Sequence, residues 1–283
     1  VRNEISFGKT KLNILYSYNK IDREYIDDSI KSRNGFDTYS KGKYTGSEHF
    51  ADAYAAIDVT QKTKLTVGID YRSSLSDQDY SSFGFFGPFT TKYSKDSLTQ
   101  QQTGLYAAVN IKAAQNFTVE LGNRLNIHSS YGSHYVFNIN PSYLIKEQVK
   151  LFVNISSAYR TPSLYQLFSE YGNKDLKPEA AMNAEGGIQY FTDDKKFSTR
   201  AVVFRRNIKD VIFFFYNSTT FQSQYINRDK QKDNGFELEA SYTGIKNTTV
   251  KAFYNYVDGN ITEKTGSGKD TTYFNLLRRP KNK

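Results

Sequence analysis

At 283 residues the chain is long enough for one large closed sheet, while a mean hydropathy of −0.65 and the lack of any run of about 18 apolar residues exclude a helical membrane protein. Cysteine is absent, which removes disulfides, thiolate metal sites and thiol nucleophiles, and 23 Tyr with 21 Phe and no Trp supply an aromatic content of 16 % that suits the interface girdles of a membrane barrel. The net charge of +9 is scattered through turns, loops and one side of the alternating segments with no nucleic-acid-binding motif beside it, so it reads as solvated surface, with attraction to anionic headgroups or an anionic ligand as the weaker functional reading.

The chain opens at Val1 with neither a Met nor a signal peptide, which suggests a processed or cut chain. A long polar excursion runs from Asp27 to Tyr44, and a short turn falls at Thr60 to Thr63. Leu65, Val67, Ile69 and Tyr71 then alternate with Lys64, Thr66, Asp70 and Arg72, the period-two pattern of a strand with one apolar and one wet face. A second long loop is expected from Leu75 to Ser97. Within it Tyr80, Phe83, Phe85, Phe86 and Phe89, followed by Tyr93, form an aromatic cluster among Ser and Gly. Such clusters mark either binding surfaces or packing against neighbouring loops.

Beyond a turn at Ala113 to Asn116, Phe117, Val119, Leu121, Leu125 and Ile127 oppose Thr118, Glu120, Arg124, Asn126 and His128. A shorter connection at Ser129 to Ser133 leads into Phe137 to Tyr143, where Pro141 lies inside a strand pattern and a bulge is expected. After the turn at Lys146 to Val149, Leu151, Val153, Ile155 and Tyr159 alternate with Lys150, Asn154, Ser156 and Arg160. The long connection from Thr161 to Lys177 starts with Pro162, which stops the ladder. Ser163 is placed to cap a short helix carrying Leu164, Leu167 and Phe168. Tyr165, Phe168 and Tyr171 either present aromatic surface to a ligand or only fix loop geometry. Turns at Thr192 to Lys195 and Thr243 to Asn247, a shorter link at Asn217 to Phe221, the strand of Phe236, Leu238, Ala240 and Tyr242, and a long loop from Ile261 to Asp270 complete the pattern. Short turns alternating with long loops, and about 12 complete or partial strands, predict an all-β, antiparallel transmembrane barrel.

The connection after Arg160 carries a specific signature: Arg160-Thr161-Pro162, then Gly172-Asn173-Lys174-Asp175-Leu176-Lys177-Pro178-Glu179, then Asn183, Glu185 and Gly187, Asn234-Gly235-Phe236-Glu237, and Arg278-Arg279-Pro280. This series resembles the signature of TonB-dependent outer-membrane receptors, over essentially the whole chain. The resemblance implies a barrel of 22 strands around an N-terminal plug. Neither a plug nor a TonB box is recognisable here, so residues 1–283 are expected to be a central-to-late portion of the barrel. It further implies the outer membrane of a Gram-negative bacterium, with membrane lipid and lipopolysaccharide as surroundings. Capture of a scarce nutrient, a ferric siderophore or a vitamin B12-like molecule, would be driven by the TonB, ExbB and ExbD proteins through the plug. Some haem receptors of that family carry a histidine between the first two boxes, and residues 163 to 172 have none, which weighs against haem.

The remaining chemistry is sparse. His49, His128 and His134 lack metal-ligand spacing. Asp27-Asp28 and Asp77-x-Asp79 resemble parts of loop Ca²⁺ sites without a full ligand set, and solvated carboxylates are the stronger reading. Glu120, Glu237 and Glu239 suit a charged lumenal lining better than general acids, and no enzyme is expected. A passive porin-like channel and, less favourably, a soluble secreted β module are the competing readings.

Overall fold

The computed structural model describes residues 1–28, 37–84, 87–217, 220–264, 270–273 and 280–283. The expectations for Phe85, Phe86, Arg278 and Arg279 lie outside the described residues.

Among the described residues, fourteen strands form one antiparallel sheet. They are β1 (Arg2–Phe7), β2 (Thr10–Asp28), β3 (Asp37–Thr60), β4 (Thr63–Gly84), β5 (Gly87–Tyr93), β6 (Thr99–Lys112), β7 (Phe117–His128), β8 (Gly132–Ile145), β9 (Val149–Arg160), β10 (Glu179–Phe191), β11 (Phe197–Asn217), β12 (Gln222–Ile245), β13 (Thr248–Lys264) and β14 (Asp270–Tyr273), with a five-residue helix α1 (Leu164–Phe168) between β9 and β10. Each strand pairs with its sequence neighbour, except that β4 pairs β6 along its lower half and β5 along its upper half. The sheet is not closed on itself among the described residues.

The alternation read from the sequence becomes two chemically distinct faces. Val67, Ile69, Leu105, Leu121, Leu125, Ile139, Leu151, Val153 and Ile155 are all exposed on one face. They sit opposite one another across the ladders, as in Leu105↔Leu125, Leu121↔Ile139 and Tyr143↔Leu151. A continuous apolar surface on a hydrophilic chain is what lipid requires. The opposite face holds paired polar groups. Arg124 donates two hydrogen bonds to Asp70, one of them 2.8 Å long, and a further one to Asn126 at 2.6 Å. Arg206 holds fully buried Asp233, and Tyr106 donates to Asp52 at 2.7 Å.

Two expectations need correction. The stretches 37–44 and 75–93, expected as loops, are mostly strand: β2 and β3 remain paired up to Asp28↔Tyr39, and β4 turns directly into β5 at Gly84↔Gly87. With 24 residues in β3 and 22 in β4, at roughly 3.3 Å per residue, these strands reach far past a hydrocarbon layer about 30 Å thick. Above the lipid the outward face meets water while the inward face packs Tyr44, Gln78 and Tyr80 against protein, so the apolar alternation that marks a lipid-facing strand lapses while the backbone ladder continues. Pro141 produces no bulge. The register is the same before and after it, Ile139↔Ile155 and Ser142↔Phe152, with Asn140 and Pro141 skipped between these pairs in the ladder to β9. Toward β7 the pairing runs through without a shift, Val119↔Pro141.

The tight turns fall at the end of the sheet expected from sequence. β3 and β4 are joined at Thr60↔Thr63 and β12 and β13 at Ile245↔Thr248, with Asn247 at φ 57°. The other end carries the link between β9 and β10.

The two faces give opposite responses to the same substitution. Leu121→Arg, on the apolar face, should destabilise the protein folded into lipid bilayers by roughly 2 to 4 kcal/mol. Thr118→Arg, which lines a lumenal cavity with Glu120, should cost much less. Urea unfolding of both variants in bilayers checks this, and equal costs would sink the assignment of faces.

Candidate functional site

The residues 161–178 do not hang above the sheet; they turn inward as a strap. Pro162 has no N–H and ends β9, and Ser163 caps α1: its side chain accepts from the Gln166 backbone at 3.2 Å while the Gln166 side chain accepts from the Ser163 N–H at 3.0 Å. Leu164 and Leu167 are buried, and Phe168 is half-buried. Five residues cannot hold a helix alone, so this turn depends on its cap and on packing.

The strap is tied to strands on both sides of the sheet. On one side Gln78 of β4 donates to the Leu164 carbonyl and Gln100 of β6 to the Pro162 carbonyl, each at 3.2 Å. Tyr131 reaches the carbonyl of Leu176, a residue only 2 % exposed. On the other side the Tyr225 N–H of β12 donates to the Tyr171 carbonyl, and Asn173 Nδ2 donates back to the Tyr225 carbonyl, both at 3.0 Å. Asn227 accepts from the Lys177 N–H at 2.8 Å and donates to the Lys177 carbonyl at 3.0 Å. Strands far apart in the sheet order thus meet on one segment, which requires the sheet to curl around it.

The signature residues have separate physical tasks. Glu179 opens β10, binds Arg160 through Oε2 and accepts the Ile212 N–H of β11 through Oε1, both at 2.7 Å, so one carboxylate joins three strands. Asn173 Oδ1 accepts from the Asp175 N–H, closing the turn that leads through Leu176 and Pro178 to β10. At Gly172 a Cβ would lie 2.6 Å from the Leu167 carbonyl oxygen, so the strap closes only without a side chain there. Gly187 and Gly235 each lie under a ring, Phe152 and Phe204 respectively, that a Cβ would strike. Asn183, Glu185 and Glu237 line one lumenal cavity of about 270 Å³ with Phe204, Arg206 and Tyr256. Asn234 is exposed within β12, and Pro280 is exposed outside any strand.

The aromatic candidates divide into groups. Tyr80, Phe89 and Tyr171 line a cavity of about 760 Å³ together with Glu170, Gly172, Phe215, Gln224 and Arg228. Tyr93 instead packs edge-on against Phe168 at 5.5 Å, with Lys174 lying over both rings. Tyr165 packs between Tyr44 and Tyr225, at 5.3 and 6.3 Å, and Tyr225 continues through Phe214 to Tyr171. Phe83 stays 57 % exposed and lines none of these. Sequence reasoning missed Glu170, Phe214, Phe215, Tyr225 and Arg228. The run Val211-Ile212-Phe213-Phe214-Phe215-Tyr216 was the available signal, but a continuous apolar run has no alternation to say which rings face inward.

Two of the carboxylates considered for calcium, Asp77 and Asp79, have protein donors. Asp77 accepts from the Lys95 N–H at 2.7 Å, and Asp79 pairs with Lys92 at 3.2 Å. Burial, then hydrogen bonding with Tyr25 and the nearby Glu170 charge, pushes the Tyr165 phenol above its ordinary value.

The model of the TonB dependent receptor-like, beta-barrel family matches residues 2–283. Among solved structures, the chain is similar to the copper transporter OprC, with TM-score 0.69 and 17 % identity over 89 % of this chain and 44 % of that one. It is similar to the siderophore receptor PirA from Acinetobacter baumannii, with TM-score 0.64 and 17 % identity over 95 % of this chain and 48 % of that one. The ferripyoverdine receptor of the Pseudomonas aeruginosa outer membrane gives TM-score 0.68 and 16 % identity over 99 % of this chain and 41 % of that one. The chain spans less than half the length of each of these relatives.

Two outcomes follow from the strap. Asn227→Ala removes its bonds to Lys177 and to the Asp210 carbonyl, and should loosen the strap by about 1 to 3 kcal/mol, read as faster amide exchange over 171–177. The raised Tyr165 pKa means its contribution is fully present below the ordinary phenol value of 10.0 and declines as pH rises beyond it, because the unfolded chain ionises first. Phenolate difference spectra of wild type and Tyr165→Phe between pH 9 and about pH 12 check this, and a Tyr165 that ionises with the exposed tyrosines would refute it.

Proposed function

The chain belongs to the TonB-dependent receptor family, and from that premise we propose that it forms wall and mouth of an active importer for a ferric siderophore. Its place is the outer membrane of a Gram-negative bacterium, and it is a transport protein, not an enzyme. The observation that carries the ligand reading is the cavity of about 760 Å³ at the loop end, walled by Tyr80, Phe89, Tyr171 and Phe215 with Arg228 and several amides. That size lies inside the range of roughly 300 to 1,000 Å³ common for small-molecule sites. Flat rings bury the body of a bulky ligand while amides and a guanidinium orient its polar groups. Two of the relatives are a siderophore receptor and a ferripyoverdine receptor, which supports the same ligand class.

On this reading the ligand is held above the lipid by strands that extend beyond it, and the strap forms part of the floor of the cavity. Release inward requires work, and the outer membrane stores no useful gradient of its own. TonB with ExbB and ExbD supplies that work from the inner membrane, through a plug that moves inside the barrel. The polar lumenal face, with Glu185, Glu237 and Arg206 around one cavity, supplies hydrogen-bonding groups for such a plug to slide against.

Cells expressing the receptor as their sole importer should accumulate radioiron supplied as the siderophore, and deletion of TonB should abolish the uptake. Tyr80→Ala with Phe215→Ala should weaken siderophore binding by about tenfold or more, since each buried ring contributes on the order of 1 kcal/mol or more. Uptake that persists without TonB would instead indicate a passive pore, and uptake of cobalamin alone would reassign the ligand.

A further inference from the structure

Four oxygen-bearing side chains from three separate segments converge where the strap meets β2 and β3. Tyr25 lies in β2, Tyr44 in β3 and Tyr165 in α1, and Glu170 follows the helix. The Tyr44 hydroxyl donates to Glu170 Oε2, and those of Tyr25 and Tyr165 each stand 3.4 Å from Oε1. The Tyr25 hydroxyl is also within hydrogen-bonding reach of those of Tyr44 and Tyr165. Tyr44 is 9 % exposed, whereas Glu170 lines the large cavity. The cluster is therefore shielded by protein on one side and reachable from the cavity on the other.

The Tyr44 to Glu170 bond ties the strap to β3. Three phenols around one carboxylate form, in addition, a set of hard oxygen donors. We propose that Tyr25, Tyr44, Tyr165 and Glu170 bind a ferric ion free of any chelator. Hard oxygen ligands suit hard cations, and tyrosinate is an established ligand of ferric iron in haem proteins. All three phenol oxygens lie within 3.4 Å of the Glu170 carboxylate, close enough to approach one small ion together with it. On binding, each phenol loses its proton to solvent and forms one Fe–O bond, while the carboxylate adds one or two more. Three protons leave, no electron is transferred, and the three phenolates with the carboxylate exceed the charge of the ion by one. Water from the cavity completes the coordination. A calcium ion is too weak an acid to displace phenol protons, so the site selects a trivalent ion. The inference rests on the side-chain cluster and not on siderophore uptake, and the two fail separately.

The receptor extracted from outer membranes into detergent, stripped of iron, is titrated with ferric nitrilotriacetate. The expected result is a visible phenolate-to-iron charge-transfer band that saturates at one iron per protein and is not produced by calcium. Tyr44→Phe and Tyr165→Phe should abolish or shift the band. Glu170→Gln keeps an acceptor for the tyrosine donors, so it should lose the band while the strap stays resistant to protease. Tyr25→Phe leaves the Tyr44 to Glu170 bond in place and serves where another variant fails to fold. Siderophore binding by the same variants, measured separately, distinguishes loss of this site from loss of the importer's ligand. Absence of a band, or a band unchanged in Tyr44→Phe and Tyr165→Phe, overturns the proposal and leaves the cluster as a hydrogen-bonded latch.

Discussion

In a bilayer a strand can satisfy its backbone donors and acceptors only through its neighbours, and the rest of this structure depends on that constraint. It explains why the strands, β5 apart, pair in sequence and why the connections are tight at one end. It also explains why Pro141 is accommodated by a local gap in one ladder and not by a change of register. A register slip of one residue would turn Leu121, Leu125 and Ile127 toward the lumen and their polar neighbours toward lipid. The exposed apolar face and the paired polar face are thus two consequences of a single register.

The lumenal face is governed by a different requirement, since charges there are partly withdrawn from water. Asp233 is fully buried and Asp70 nearly so, and each is matched to an arginine, with a further amide donor from Gln231 on Asp233. Removing one partner from such a pair costs more than the pair contributes, because it leaves a buried charge alone. The signature glycines belong to the same packing. Gly187 and Gly235 make room for Phe152 and Phe204, so large lumenal rings can lie flat against the wall.

The strap turns a curved wall into a site. Each of its hydrogen bonds is worth only about 1 kcal/mol, but they come from β4, β6, the β7 to β8 connection and β12 together. The strap is consequently held at many points while its own helix is too short to be stable alone. Its central position places Glu170 and Tyr171 on the cavity and Tyr165 within an aromatic chain from Tyr44 to Phe214. The segment that lines the cavity through Glu170 and Tyr171 is the same one that braces the strands.

The sequence alone determined the strand class, the orientation of the alternating segments, the tight turns and the helix cap at Ser163, because each is set by neighbours within a few residues. The signature from Arg160 to Gly187 likewise carried the family. The upper parts of β3 and β4 were not readable, since above the lipid their outward face needs no apolar residues and their inward face buries Tyr44, Gln78 and Tyr80 against protein. Only the tertiary structure decided which aromatics meet. Tyr80 and Phe89 reach the cavity while Phe83 does not, and Tyr25 and Tyr44 converge on Glu170 although 145 and 126 residues separate them from it along the chain. Those meetings depend on the curl of the sheet around the strap, a property of the summed register of many strands that no local pattern records.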